Sequence, residues 1–122
     1  MQFREMDDRV TYAEQLDDAG TRPIDLVNVF TIAPEDVEEF LAVWADDAAF
    51  MKQQPGFIRA QLHRGTAGST VFVNVARWES PATLRAAFTS PEFQAAAARY
   101  PASAVASPHV CTTVAVPGVC TT

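Results

Sequence analysis

Apolar residues recur along this chain with two different periods, one of two residues and one of three to four, and the alternation between them lays out the elements. Ile24–Thr31 alternates, with Leu26, Asn28 and Phe30 on one face of a predicted strand and Val27 and Val29 on the other. Pro34 then suits a first helical turn, and Glu35 and Asp36 suit its positive end. From Pro34 to Gln54 the spacing predicts a helix whose stripe is Val37, Phe40, Leu41, Trp44, Ala48 and Met51. In this reading the charged pair Asp46-Asp47 falls off the stripe onto a solvated face. Pro55-Gly56 stops the helix. Phe57–Arg64 is a second strand, Gly65-Thr66-Ala67-Gly68-Ser69 a hairpin loop, and Val71–Trp78 a third strand. Ser80-Pro81 and Ser90-Pro91 each pair an N-cap with a first-turn proline. They open two short helices that bury Leu84, Ala87 and Phe88 in one and Phe93 and Ala97 in the other, with Pro101 ending the second. Val110–Val116 is read as the last strand, after which Pro117-Gly118 releases a tail. Before Ile24 the chain is a charged arm in which Val10, Ala13 and Leu16, with Tyr12 nearby, allow one short amphipathic helix ahead of the Gly20–Pro23 break.

The order β-α-β-β-α-α-β predicts a ferredoxin-like α+β fold with a four-stranded antiparallel sheet. Residues 1–23 are expected as an N-terminal arm, 24–116 as the domain and 117–122 as a C-terminal tail. Helices on one side of the sheet leave Val71, Val73 and Val75, with Val27 and Val29, facing water. An apolar face of that kind predicts a partner, here a second copy packed sheet to sheet.

Length and charge narrow the functional classes. The 122 residues suffice for one core, and 48% hydrophobic with 20% charged residues is a globular composition. The net charge of −6, with no basic stripe, argues against nucleic acid. Cys111 and Cys120 lack the spacing of a disulfide framework or a zinc site. The polar, acidic start does not read as a signal peptide, and no apolar run reaches the ~20 residues of a membrane span, so a cytoplasmic protein is expected.

The third strand carries the most chemistry. Phe72, Asn74, Ala76 and Trp78 share one face, so an amide and an indole N–H sit on a surface apolar enough to be covered. Such groups need partners once buried. The strand reads as the wall of an apolar pocket with two polar anchors. Trp44, Met51, Phe72, Leu84 and Phe88 are the candidate pocket residues between helices and sheet, although each also suits plain core. His63, as an imidazole, is a candidate proton acceptor; a histidine between Leu62 and Arg64 beside a hairpin loop also suits plain solvation. Arg99-Tyr100-Pro101 could gate the pocket mouth, and the end of a helix explains Arg99 equally well. His109, after Pro108, is a weaker candidate.

Over Ile24–Val116 the chain resembles the small antibiotic biosynthesis monooxygenases of the dimeric α+β barrel superfamily. The resemblance rests on Gln54-Pro55-Gly56-Phe57, on the strand Asn74-Val75-Ala76-Arg77-Trp78 joined to Asn28 of the first strand, and on Ser90-Pro91-Glu92-Phe93. The arm and Ser103–His109 look most like the subgroup that cleaves a ring of angucycline polyketides. The resemblance implies an oxygenase that turns a phenol or anthrone of an aromatic polyketide into a quinone using O2, without metal or haem. For the ring-cleaving subgroup it implies reduced flavin supplied by a partner reductase. It also assigns Asn74 and Trp78 as donors to a developing oxyanion, with Asn28 completing the set or orienting the substrate.

Competing readings remain on the same residues. Asn74 could bond only neighbouring backbone, and Trp78 could serve only the core. Haem degradation on this fold uses a histidine on the helix after the Trp strand, and Ser80–Tyr100 contains none. A cyclase-type protein would need a placed acid or base that Asn74 and Trp78 do not supply. A non-catalytic polyketide-binding protein would bind a polyphenol without turnover.

Overall fold

The computed structural model describes residues 1–121; the last residue of the expected tail, Thr122, lies outside the described residues. The elements are β1 (Gln2–Phe3), α1 (Tyr12–Leu16), β2 (Ile24–Thr31), α2 (Val37–Lys52, entered through a 3-10 turn at Pro34–Asp36), β3 (Phe57–Arg64), β4 (Val71–Trp78), α3 (Pro81–Phe88), α4 (Pro91–Ala97) and β5 (Val105–Cys111). The sheet order is β1-β5-β2-β4-β3. The ferredoxin-like α+β architecture is as expected, with one strand more: β5, β2, β4 and β3 are antiparallel neighbours, and β1 adds in parallel to β5.

The last strand starts five residues earlier than its apolar run suggested, at Val105 instead of Val110, and takes in Pro108. A proline interrupts a ladder only where its missing N–H is needed. Ala106 O accepts from Arg4 N and Val110 N donates to Gln15 Oε1, so these two residues point their backbone groups away from β2. By the two-residue alternation Pro108 points the same way, onto the open edge. There Gln15 of α1 stands in for a neighbouring strand, with its amide donating to Val110 O at 2.9 Å and accepting from Val110 N at 2.8 Å.

The N-terminal arm is tied down along its length. Gln2 N donates to Ala104 O, Arg4 N to Ala106 O and Tyr12 N to Glu5 Oε2. Thr11 caps α1, whose Tyr12 and Leu16 are buried. Ser80 and Ser90 cap α3 and α4 with Pro81 and Pro91 in their first turns, as the sequence predicts; Ser80 and Thr83 form a reciprocal capping box. Gly56, which ends the α2 turn, has φ +88°, and a Cβ there would meet the Thr83 side chain at 2.3 Å. Only glycine allows α3 to approach this turn so closely.

Two apolar clusters form the core on the helix-covered side. One holds Phe30, Ile32, Val37, Phe40, Val43, Phe72, Tyr100, Ala104 and Ala106. The other holds Tyr12, Leu16, Ile24, Leu26, Ala76, Trp78, Leu84 and Ala87. The α2 stripe is turned relative to expectation: Val37, Phe40, Val43 and Asp47 are buried, while Leu41 is 37% exposed. Asp47 sits at the three-to-four spacing 37, 40, 44, 47, 51. Periodicity places it inward, and its charge alone suggested the solvated face. Asp46, its neighbour, does lie outside and pairs with Arg99 at 3.0 Å.

Candidate active site

The floor of the site is set by strand register. Asn28 and Asn74 are direct partners across β2 and β4, and the row continues to Pro108 on β5 and Leu62 on β3. Opposed residues of an antiparallel pair hold their Cβ atoms about 5 Å apart on one face, so the two amides stand side by side. Trp78 lies further along β4, 1% exposed, with its ring edge-on to Phe57 at 5.4 Å. Above the floor, Trp44, Asp47, Ala48 and Met51 of α2 form a roof. Leu84 and Phe88 of α3, Phe93 of α4 and Tyr12 of α1 close the end. The cleft is narrow, with a cavity volume of about 60 Å³ that widens into open space at its mouth.

Five polar atoms in the lining of this cleft are buried and have no hydrogen-bond partner: Tyr12 Oη, Asn28 Oδ1, Asp47 Oδ1, Asn74 Oδ1 and Trp78 Nε1. Such atoms are costly in a folded protein, at about 1–3 kcal/mol each, and are few in native structures. They converge on one aromatic-walled cleft, a lining that suits a ligand bringing polar groups to an apolar body. Either amide can present N–H₂ or C=O by turning over. The set therefore offers neutral donors (indole N–H, phenol O–H, amide N–H) and one carboxylate.

Asp47 is held by the Tyr100 hydroxyl, which donates to its Oδ2 at 2.8 Å. Burial pushes the Asp47 carboxyl up to about 6, and the hydrogen bond from Tyr100 offsets part of that rise. Tyr100 and Tyr12 are both pushed above the usual phenol range by burial and stay protonated at neutral pH. The lining holds no lysine, arginine or histidine.

The structure brings Asn28, Asn74, Trp78, Trp44, Met51, Leu84 and Phe88 to one cleft. Three candidates lie elsewhere. Phe72 belongs to the neighbouring core cluster, in contact with Phe40 at 5.1 Å and under the Arg64 guanidinium at 5.2 Å. His63 is opposite Val73 in register, so it projects from the other face of the sheet and is exposed. His109, opposite Val27, also faces away; its Nε2 lies 3.2 Å from Gln15 Nε2. Arg99 is engaged with Asp46, and Tyr100 with Asp47, so that segment braces α2. Tyr12 and Asp47 are cleft residues that sequence reasoning missed. Helical spacing was the available signal for Asp47. For Tyr12 there was none, because its place depends on how the arm packs.

Among the described residues no group of three or more His, Cys, Asp or Glu side chains is placed to hold a metal ion, and no helix is long and apolar enough to cross a membrane.

The fold and cleft define a small ferredoxin-like α+β protein with an aromatic cavity floored by paired asparagines. The chain belongs to the antibiotic biosynthesis monooxygenase family, whose pattern residues 23–99 match. It is 38% identical over 72 residues to tetracenomycin-F1 monooxygenase of Streptomyces glaucescens, a stretch covering 57% of this chain and 62% of that enzyme. It is 37% identical over 70 residues to deoxynogalonate monooxygenase of Streptomyces nogalater, covering 57% and 58%. The chain thus spans less than two thirds of each of these curated relatives. The crystal structure of SnoaB, a cofactor-independent oxygenase from Streptomyces nogalater, superposes with a TM-score of 0.68 at 30% identity, over 80% of this chain and 98% of that one.

Proposed function

We propose that this protein is an O2-dependent oxygenase of phenolic aromatic polyketides that works without metal or haem. The observation that carries the reading is the set of five unpartnered polar atoms in an aromatic-walled cleft. In this reading a flat polyphenol lies between the sheet floor and α2, the cleft widening to admit it, with its rings against Trp44, Met51, Leu84 and Phe88 and its oxygens toward the asparagines and Trp78. Loss of a phenolic proton makes such a ring electron-rich enough to react with O2. Neutral donors fixed in an apolar site stabilise the resulting anion at little reorganisation cost. Oxidation of an anthrone methylene to a quinone carbonyl takes one oxygen atom from O2 and releases the other as water. The names of the two curated relatives and the description of SnoaB as cofactor-independent support the same chemistry.

The test is O2 uptake by chelator-treated protein with a 1,8-dihydroxyanthrone, with and without reduced flavin. Uptake with one quinone formed per O2, in the absence of flavin, is the expected result. Product formed only with reduced flavin, beyond flavin's own autoxidation, would replace this reading with the ring-cleaving one. Tight binding without uptake in either condition would replace it with a binding protein.

The working unit in this proposal is a homodimer acting in the cytoplasm. Val71 and Val75, each 38% exposed, and the half-buried Val27, Val29 and Val73 form an apolar sheet face that the helices do not cover. Two unpaired cysteines, Cys111 and Cys120, suit a reducing compartment. Val73→Glu is expected to halve the mass seen by sedimentation velocity. An unchanged mass in that variant, or a monomeric native protein, would remove the sheet-to-sheet dimer.

A further inference from the structure

We propose that Asp47 is the catalytic base of this site, its free Oδ1 taking the proton of a substrate phenol while Tyr100 holds Oδ2. The inference rests on the oxygenase reading and adds to it the proton acceptor that neutral Asn74 and Trp78 cannot provide.

Three features of the geometry support it. Asp47 is 9% exposed and lines the cleft, and its Oδ1 is buried without a partner. Its other oxygen is fixed by Tyr100 at 2.8 Å, which orients the carboxylate and leaves one acceptor position open. The nearby cation, Arg99, is taken by Asp46 on the outer side of α2, so the negative charge of Asp47 is not neutralised by an ion pair. A buried carboxylate without a cation is expensive to keep, and a stability role would be better served by an apolar residue at this position of the stripe. In proton transfer the substrate O–H bond breaks and an O–H bond forms on Oδ1. The electron pair stays on the substrate oxygen, where Trp78 Nε1 and an asparagine amide can donate to it.

The ionisation of this base also fits. With its carboxyl at about 6, Asp47 is mostly ionised at neutral pH and is a stronger base than a solvent-exposed carboxylate. The titratable and charged groups around it are Asp46 on its own helix, Arg99 and Tyr100 after α4, and Tyr12 across the cleft. Tyr12 and Tyr100 do not ionise in the working range, and Asp46 is paired with Arg99 at 3.0 Å. The acid limb of the rate profile therefore belongs to Asp47.

Asp47→Asn preserves shape and the acceptor for Tyr100. It is expected to lower kcat about 100-fold with little change in KM for a 1,8-dihydroxyanthrone. It should also abolish the acid limb centred near pH 6 that native protein shows. A substrate carrying a hydroxyl acidic enough to be ionised already at the assay pH should lose little in the variant. Tyr100→Phe should retain the limb and move it to higher pH, because the ionised carboxylate loses its donor. An unchanged kcat and profile in Asp47→Asn would overturn the assignment and leave the oxygenase reading standing. Equal losses for ionised and un-ionised substrates would likewise overturn it, since a structural role has no such preference. Native protein inactive toward every polyphenol would overturn the oxygenase reading and this assignment together.

Discussion

Asn74→Ala is expected to lower kcat/KM for an anthrone by about 100- to 1,000-fold, the usual effect of removing one oxyanion donor, without lowering Tm. The second half of the expectation makes the experiment informative. A buried amide that stabilises the fold has partners, and its removal costs roughly 1–3 kcal/mol. Asn74 Oδ1 has none, so truncation removes a buried polar group whose desolvation the fold does not recover. The space left opens into an existing cleft, which limits the packing loss. Asn28 stands opposite in register, and Asn28→Ala should behave in the same way. The double variant should lose less than the sum of the two single losses, since both amides serve one ligand. Thermal melts combined with steady-state kinetics decide the matter: a large fall in Tm with kcat/KM intact would make these asparagines structural and dissolve the site.

Asp47→Asn is expected to raise stability at pH 8 by up to about 3 kcal/mol, or roughly 10 °C in Tm. Its carboxyl titrates at 3.8 when solvated and at about 6 in the fold. The folded state thus binds the proton more tightly than the unfolded one, and the stability this confers is fully present below pH 4. It is lost as pH rises through 6, where folding must keep a charge buried. Asparagine never acquires that charge, so native protein and variant should converge near pH 4 and diverge above pH 6. Denaturant midpoints at pH 4, 6 and 8 measure the difference directly. A constant difference across that range would show that the Asp47 carboxyl is not desolvated. Together with the kinetic loss proposed above, the result would mark a residue kept for activity at the expense of stability.

Legibility varied along the chain for definite reasons. The bounds of β2, β3 and β4 match the sequence reading residue for residue because their alternation is strong and turn residues flank them. The caps of α3 and α4 were equally plain, since Ser-Pro fixes both a capping oxygen and a first-turn φ. β5 was displaced because Pro108 reads as a breaker unless its edge position is known. Asp47 was assigned to solvent because its charge outweighed its place on the stripe, and burial of a carboxylate beside Tyr100 is a contact 53 residues apart. His63 and Phe72 were candidates by residue type. Their positions follow from register, which puts His63 with Val73 on the far face and Phe72 within the aromatic core.

By itself the sequence determined the fold class, the row of Asn74 and Trp78 on one face of a strand, and the kinship of the chain, because these rest on local periodicity and short motifs. Only the tertiary structure decided which polar groups share a cleft. It set Asn28 against Asn74 by cross-strand register, carried Tyr12 in on an arm zipped along β5, and turned Asp47 inward to meet Tyr100. Each of those placements depends on contacts between segments distant in the chain, which no local pattern encodes.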